Sequence, residues 1–93
     1  MARLLAIDPA VLERLRRLPK VARVDCLLSL CEILEAFGRP HAHSGLGIRK
    51  LGAKLFECRA GVSLRFVFQD RGSELFVFFC GNHDEVKALL RRR

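Results

Sequence analysis

Apolar and polar positions divide the chain into a helical first half and a strand-rich second half. Arg3 to Ile7 is short and apolar and reads as a strand. Asp8 then offers an N-cap, and Pro9 at a first helical position loses no hydrogen bond. Val11, Leu12, Leu15 and Leu18 recur at helical spacing until Pro19 breaks the run. A second helix is predicted over roughly 21–37, with Val24, Leu27, Leu28, Cys31, Leu34 and Phe37 as a wide apolar face and Gly38 and Pro40 as its stop. Two helices joined at one proline predict an antiparallel hairpin.

From Arg39 to Lys54 the chain reads as a basic loop with Gly45, Gly47 and Gly52. After it the period changes to two. Segments 55–59, 62–69 and 75–80 are rich in Phe, Val and Leu, with turns at Ala60-Gly61 and Asp70-Arg71-Gly72. Six of the seven phenylalanines lie between 56 and 79, which places the core under this sheet. Asn82 with Glu85 three residues on forms a capping-box pattern for a last helix. The basic end Arg91-Arg92-Arg93 suits the negative pole of that helix. The predicted order is β-α-α-β-β-β-α, an α+β domain with a twisted antiparallel sheet on the helix hairpin. Leu27, Leu28, Leu34, Phe56, Phe66 and Phe68 are its expected buried residues.

Alternation also sorts the charges. Glu57 and Arg59 point away from Phe56 and Cys58, and Arg65 points away from Phe66. A tight turn after Ala60 brings Arg65 opposite the first pair, so Glu57, Arg59 and Arg65 converge on the face expected to be open. A plain cross-strand ion pair explains them as well as a reaction site does. For the last strand, either Leu75, Val77 and Phe79 or Phe76 and Phe78 face inward, depending on turn length. His83 follows that strand at the junction with the last helix; a structural capping histidine is the alternative to a catalytic one.

Ninety-three residues, 51% of them hydrophobic, predict one compact domain over 1–93. Seventeen Lys and Arg against ten Asp and Glu leave a net charge of +7, which favours nucleic acid or an acidic protein as partner. No apolar run approaches the ~20 residues of a membrane span, and Asp8-Pro9 interrupts any signal-peptide core. The four cysteines form no C-x-x-C pair and read as small core residues in a reducing, cytoplasmic setting. His41 and His43 lack a third ligand in register, so no metal is expected. Gly45-Leu46-Gly47 fails the dinucleotide fingerprint, because Lys50 stands where the third glycine belongs. No cofactor or small-molecule ligand is expected. Arg49, Lys50 and Lys54 suit contacts to phosphate.

The element order, the segment Leu55-Phe-Glu-Cys-Arg59, the strand Leu64-Arg65-Phe-Val-Phe and the ending Cys80-Gly-Asn-His-Asp-Glu-Val86 together resemble the RelE/ParE superfamily of toxins from bacterial toxin–antitoxin systems. The resemblance runs from Arg3 to Arg93. It implies ribosome-dependent, metal-independent cleavage of mRNA by 2′-hydroxyl attack on the adjacent phosphate, with a cognate antitoxin as partner. Arg65 matches the strand arginine that contacts the scissile phosphate, and Arg59 matches another basic strand position. Lys50 and Lys54, with Arg49, fall where such toxins carry catalytic or RNA-binding lysines. His83 stands where some relatives place an acid. Glu57, the nearest carboxylate, is the expected base from its position alone. The chain has no tyrosine, so the C-terminal tyrosine of some relatives is missing. Two other functions share the fold: poisoning of DNA gyrase, as in ParE, and a non-catalytic interaction module.

Overall fold

In the computed structural model, which describes residues 3–39 and 45–92, the expected elements form with one strand added. Their order is β1 (Leu4–Ile7), α1 (Pro9–Arg16), α2 (Lys20–Ala36), β2 (Arg49–Gly52), β3 (Leu55–Ala60), β4 (Leu64–Asp70), β5 (Glu74–Gly81) and α3 (His83–Arg91). β2 lies in the stretch read as a loop. It is a four-residue edge strand in which only Leu51 is apolar and partly buried, so it carries no alternation to detect.

The five strands form one sheet in the order β1-β5-β4-β3-β2. β2 to β5 are antiparallel neighbours, while β1 joins β5 in parallel, Leu4 to Ile7 beside Glu74 to Val77. The sheet is therefore mixed at one edge. Asp8 accepts a 2.8 Å hydrogen bond from the Ala10 N–H, and Pro9 sits at the start of α1 as expected. α1 begins where the β1–β5 ladder stops, and Val11 and Leu15 enter the core beneath β5.

Helices cover both faces of the sheet. On the hairpin side, Cys58, Phe66, Phe68, Leu75, Val77 and Cys80 pack against Val11, Leu15, Cys26, Leu30 and Ile33. Phe37, at the end of α2, meets Phe56 and Phe68 edge-on with centroids 4.9 and 5.6 Å away, while Phe56 and Phe68 stack at 5.7 Å. On the other side, Val86, Leu89 and Leu90 of α3 pack on Leu55 and Val67.

Phe56, Phe66 and Phe68 lie under the hairpin as expected, but α2 buries a different face from the one its apolar pattern predicts. Leu27, Leu28 and Leu34 are 42%, 57% and 38% exposed, and Cys31 is exposed as well, whereas Cys26, Leu30, Ile33 and Ala36 are buried. Apolar residues run almost all the way round α2, so periodicity gives no contrast between its sides. Two polar bonds select the buried one. The Cys26 thiol donates to the Ala60 carbonyl at 3.4 Å, and the Gly61 N–H donates to Ser29 Oγ at 3.3 Å. They hold α2 against the β3–β4 turn, where Gly61 takes a positive φ of 67°.

The ambiguity in β5 resolves through a bulge. Pairing steps from Phe68 beside Val77 to Val67 beside Phe79, inserting Phe78. Leu75, Val77 and Cys80 thus face the hairpin, and Phe78 and Phe79 both join the α3 side. Burial pushes the Cys58 and Cys80 thiols up to about 12, with the Glu57 carboxylate reinforcing the shift at Cys58. Both are core residues without thiolate reactivity at neutral pH.

At α3 the capping box is complete. Asn82 Oδ1 accepts from the Glu85 N–H and Glu85 Oε1 accepts from the Asn82 N–H, both at 2.8 Å. Arg14 of α1 adds a 3.1 Å ion pair to the same carboxylate. The backbone hydrogen bond first, and Arg14 second, lower the Glu85 pKa below its ordinary 4.5. A carboxylate with a lowered folded pKa contributes stability above its unfolded value and loses it as pH falls through the folded one. Glu85→Gln is therefore expected to flatten stability between about pH 4.5 and the lowered value, read as urea midpoints over an acid pH series.

Candidate phosphate-binding face

The charged cluster forms on the α3 side of the sheet. Glu57 is paired with Val67 on β4 and with Arg49 on β2, so these side chains share a face. Glu57 Oε2 lies 2.8 Å from Arg49 Nη2 and 3.5 Å from Arg65 Nη1. Arg59 sits beside Arg65 across β3 and β4. Three guanidiniums against one carboxylate leave an excess of two positive charges, spread over three neighbouring strands.

Burial separates the roles. The Glu57 side chain is 2% exposed, Arg65 34% and Arg49 67%. The expectation that Glu57 stands on an open face is thereby corrected, because α3 makes that side of the sheet a second interior. A carboxylate this deep is stable only when paired, and it anchors the two arginines whose ends reach solvent. The expected tolerance of Glu57 to replacement falls with it. Glu57→Ala is expected to cost about 1–3 kcal/mol, since the freed guanidiniums can still turn to water. Urea denaturation measures the loss.

Gly81 lies opposite Arg65 in the β4–β5 ladder, and His83 opens α3 two residues later, exposed at that end of the sheet. Space at position 81 is tight: a Cβ would come within 2.8 Å of the Phe79 ring and 3.0 Å of Glu85 Cβ, so any larger residue there displaces Phe79. The close approach lets β5 turn directly into the capped helix beside Arg65.

The lysines do not join the cluster. Lys50 pairs with Phe56, which faces the hairpin, so it points away from Glu57. Lys54 precedes β3 with φ at 58°, roughly 16 Å of strand from Arg59. His41 and His43 lie outside the described residues. Among the described residues, no group of three or more His, Cys, Asp or Glu is placed to hold a metal ion. No helix there is long and apolar enough to cross a membrane.

Arg14 and Arg17 carry no signal of a site in the sequence. Both line a shallow cavity of about 220 Å³ with Ala10, Phe78, Phe79 and Cys80, and Arg14 holds Glu85. Only the basic side of α1 hinted at them. Nothing local ties residue 14 to residue 85.

A mixed five-stranded sheet with a helix hairpin on one face and a capped C-terminal helix on the other is the fold of RelE toxins. The RelE–RelB complex from Pyrococcus horikoshii OT3 matches with a TM-score of 0.67 at 20% identity, over 88% of this chain and 96% of that one. A variant of the E. coli RelE toxin in the free state matches at 0.64 and 22% identity, over 99% and 98%. The isolated E. coli RelE toxin matches at 0.60 and 21%, over 99% and 100%. No protein-family model and no curated protein matches the sequence.

Proposed function

We propose that this chain is a RelE-like toxin that cleaves mRNA on the ribosome and so inhibits translation. The observation that carries the reading is Arg65: one-third exposed, seated on a strand beside Arg59, and held from behind by a buried Glu57 that also binds Arg49. A guanidinium fixed in this way is preorganised for a phosphate whose charge increases during reaction. The 2′-oxygen attacks phosphorus, the bond to the 5′-oxygen breaks, and the products carry a 2′,3′-cyclic phosphate and a 5′-hydroxyl. Arg65 stabilises the phosphorane, and His83 donates the proton to the leaving 5′-oxygen. Glu57 acts through Arg65 as a positioning residue, and ribosomal groups take the 2′-hydroxyl proton. Arg49 and Arg59 hold neighbouring phosphates. Lys50 and Lys54 bind the RNA backbone away from the reacting bond.

An antitoxin partner belongs to the same reading. A RelE of this fold is seen bound to RelB, and the +7 charge suits an acidic segment that covers the basic face. The activity is tested by single-turnover cleavage of mRNA on programmed ribosomes, with mapping of the ends. Cleavage on the ribosome, absent from free RNA, is expected. No cleavage together with inhibition of gyrase supports a ParE-like function instead.

A further inference from the structure

α2 carries a second apolar stripe that the described chain leaves uncovered. Val21, Val24, Leu27, Leu28, Cys31 and Leu34 are all exposed. At 100° per residue they form one row about 20 Å long, on the side of the helix opposite Cys26, Ile33 and Ala36. Single exposed apolar residues are ordinary, but a continuous row marks an interaction surface.

The row reads the same in both directions about the midpoint between Leu27 and Leu28. Reversal there sets Val24 against Cys31, Val21 against Leu34 and Leu27 against Leu28. It also sets Lys20 against Glu35, cation against anion at each end of the row, within about 30° of the contact direction at 100° per residue. Among the described residues, Lys20, Arg23, Glu32 and Glu35 enter no ion pair, and Arg23 only donates a 3.5 Å bond to the Arg16 carbonyl. By contrast, Glu13, Arg14, Arg16 and Arg17 of α1 all have ion-pair partners.

We propose that α2 is a self-complementary docking surface on which a second copy of this chain packs antiparallel, about a two-fold axis between Leu27 and Leu28. A two-fold contact requires a patch that complements itself, and both the apolar row and the Lys20–Glu35 pair meet that requirement. A parallel arrangement would set Lys20 on Lys20 and Glu35 on Glu35, so charge selects the antiparallel one. One helix pair buries an area at the low end for specific association, which makes a reversible dimer with Kd on the order of 10–100 µM. The Arg49, Glu57 and Arg65 cluster lies on the opposite face of the sheet, so dimerisation and mRNA cleavage fail or succeed independently.

Sedimentation of the full chain from about 10 µM to 1 mM tests the proposal. The mass is expected to rise from the 10.5 kDa monomer toward twice that value. Lys20→Glu and Glu35→Lys are each expected to weaken association by roughly 10-fold, and the double swap to restore it. Restoration is a result that a purely structural role for either charge does not produce. Val24→Cys, oxidised with glutathione disulfide, is expected to give a covalent dimer through Cys31 of the other copy. Positions 24 and 31 of one helix lie about 10 Å apart, too far for a disulfide within a chain. A chain that stays monomeric at 1 mM, a swap that fails to restore association, or a Val24→Cys variant that does not crosslink overturns the proposal. So does protection of Cys31 only by a co-purifying acidic protein, which would assign the stripe to that partner.

Discussion

Arg65→Ala is expected to lower single-turnover cleavage of ribosome-bound mRNA by on the order of 100-fold or more, with the circular dichroism of the chain unchanged. The side chain is one-third exposed and lies outside the core, so its removal leaves the packing of β4 intact. What is lost is a positive charge already in place when the phosphorane forms, and an exposed lysine elsewhere cannot replace it. Arg65→Lys should recover only part of the rate, because a single ammonium cannot reproduce the planar fork of donors. His83→Ala should cost roughly 100-fold through lost proton transfer. If both alanine variants cleave at the wild-type rate, the assignment of the site to this face is wrong.

Phe68→Ala is expected to remove about 3–5 kcal/mol of folding stability through lost transfer energy and the cavity left behind. Phe68 is fully buried at the centre of the sheet, and it ties Phe37 of α2 to Phe56 of β3. A chain of this size has only some 5–14 kcal/mol in total, so the variant should lose a large share of its stability. Phe68→Leu keeps much of the volume and should cost less than about 1.5 kcal/mol. Urea midpoints for the two variants separate the effects, and a Phe68→Ala midpoint near that of wild type would show that the aromatic cluster is not the structural centre.

What could be read along the chain was local. The Asp8-Pro9 start of α1, the Asn82–Glu85 capping box and the period of β3 and β4 all depend on residues within a few positions of one another. Glu57, Arg59 and Arg65 were placed together by the same logic, because strand alternation and one tight turn suffice to bring them to one face. The bulge at Phe78 escaped that logic. An inserted residue is indistinguishable from continued alternation when Phe76, Val77, Phe78 and Phe79 are all apolar.

The amino-acid sequence by itself determined every element but β2, and the common face of Glu57, Arg59 and Arg65. Tertiary structure decided which side of α2 is buried, how β1 joins the sheet beside β5, and that Glu57 is an interior anchor. Those outcomes rest on bonds between distant residues: Cys26 with Ala60, Gly61 with Ser29, and Arg14 with Glu85. Short-range pattern records what each segment prefers alone. It does not encode the competition between two nearly equal apolar faces of one helix, or the arrival of α3 over a face whose charges would otherwise be solvated. Long-range packing settles both, because burial energy depends on which surfaces meet.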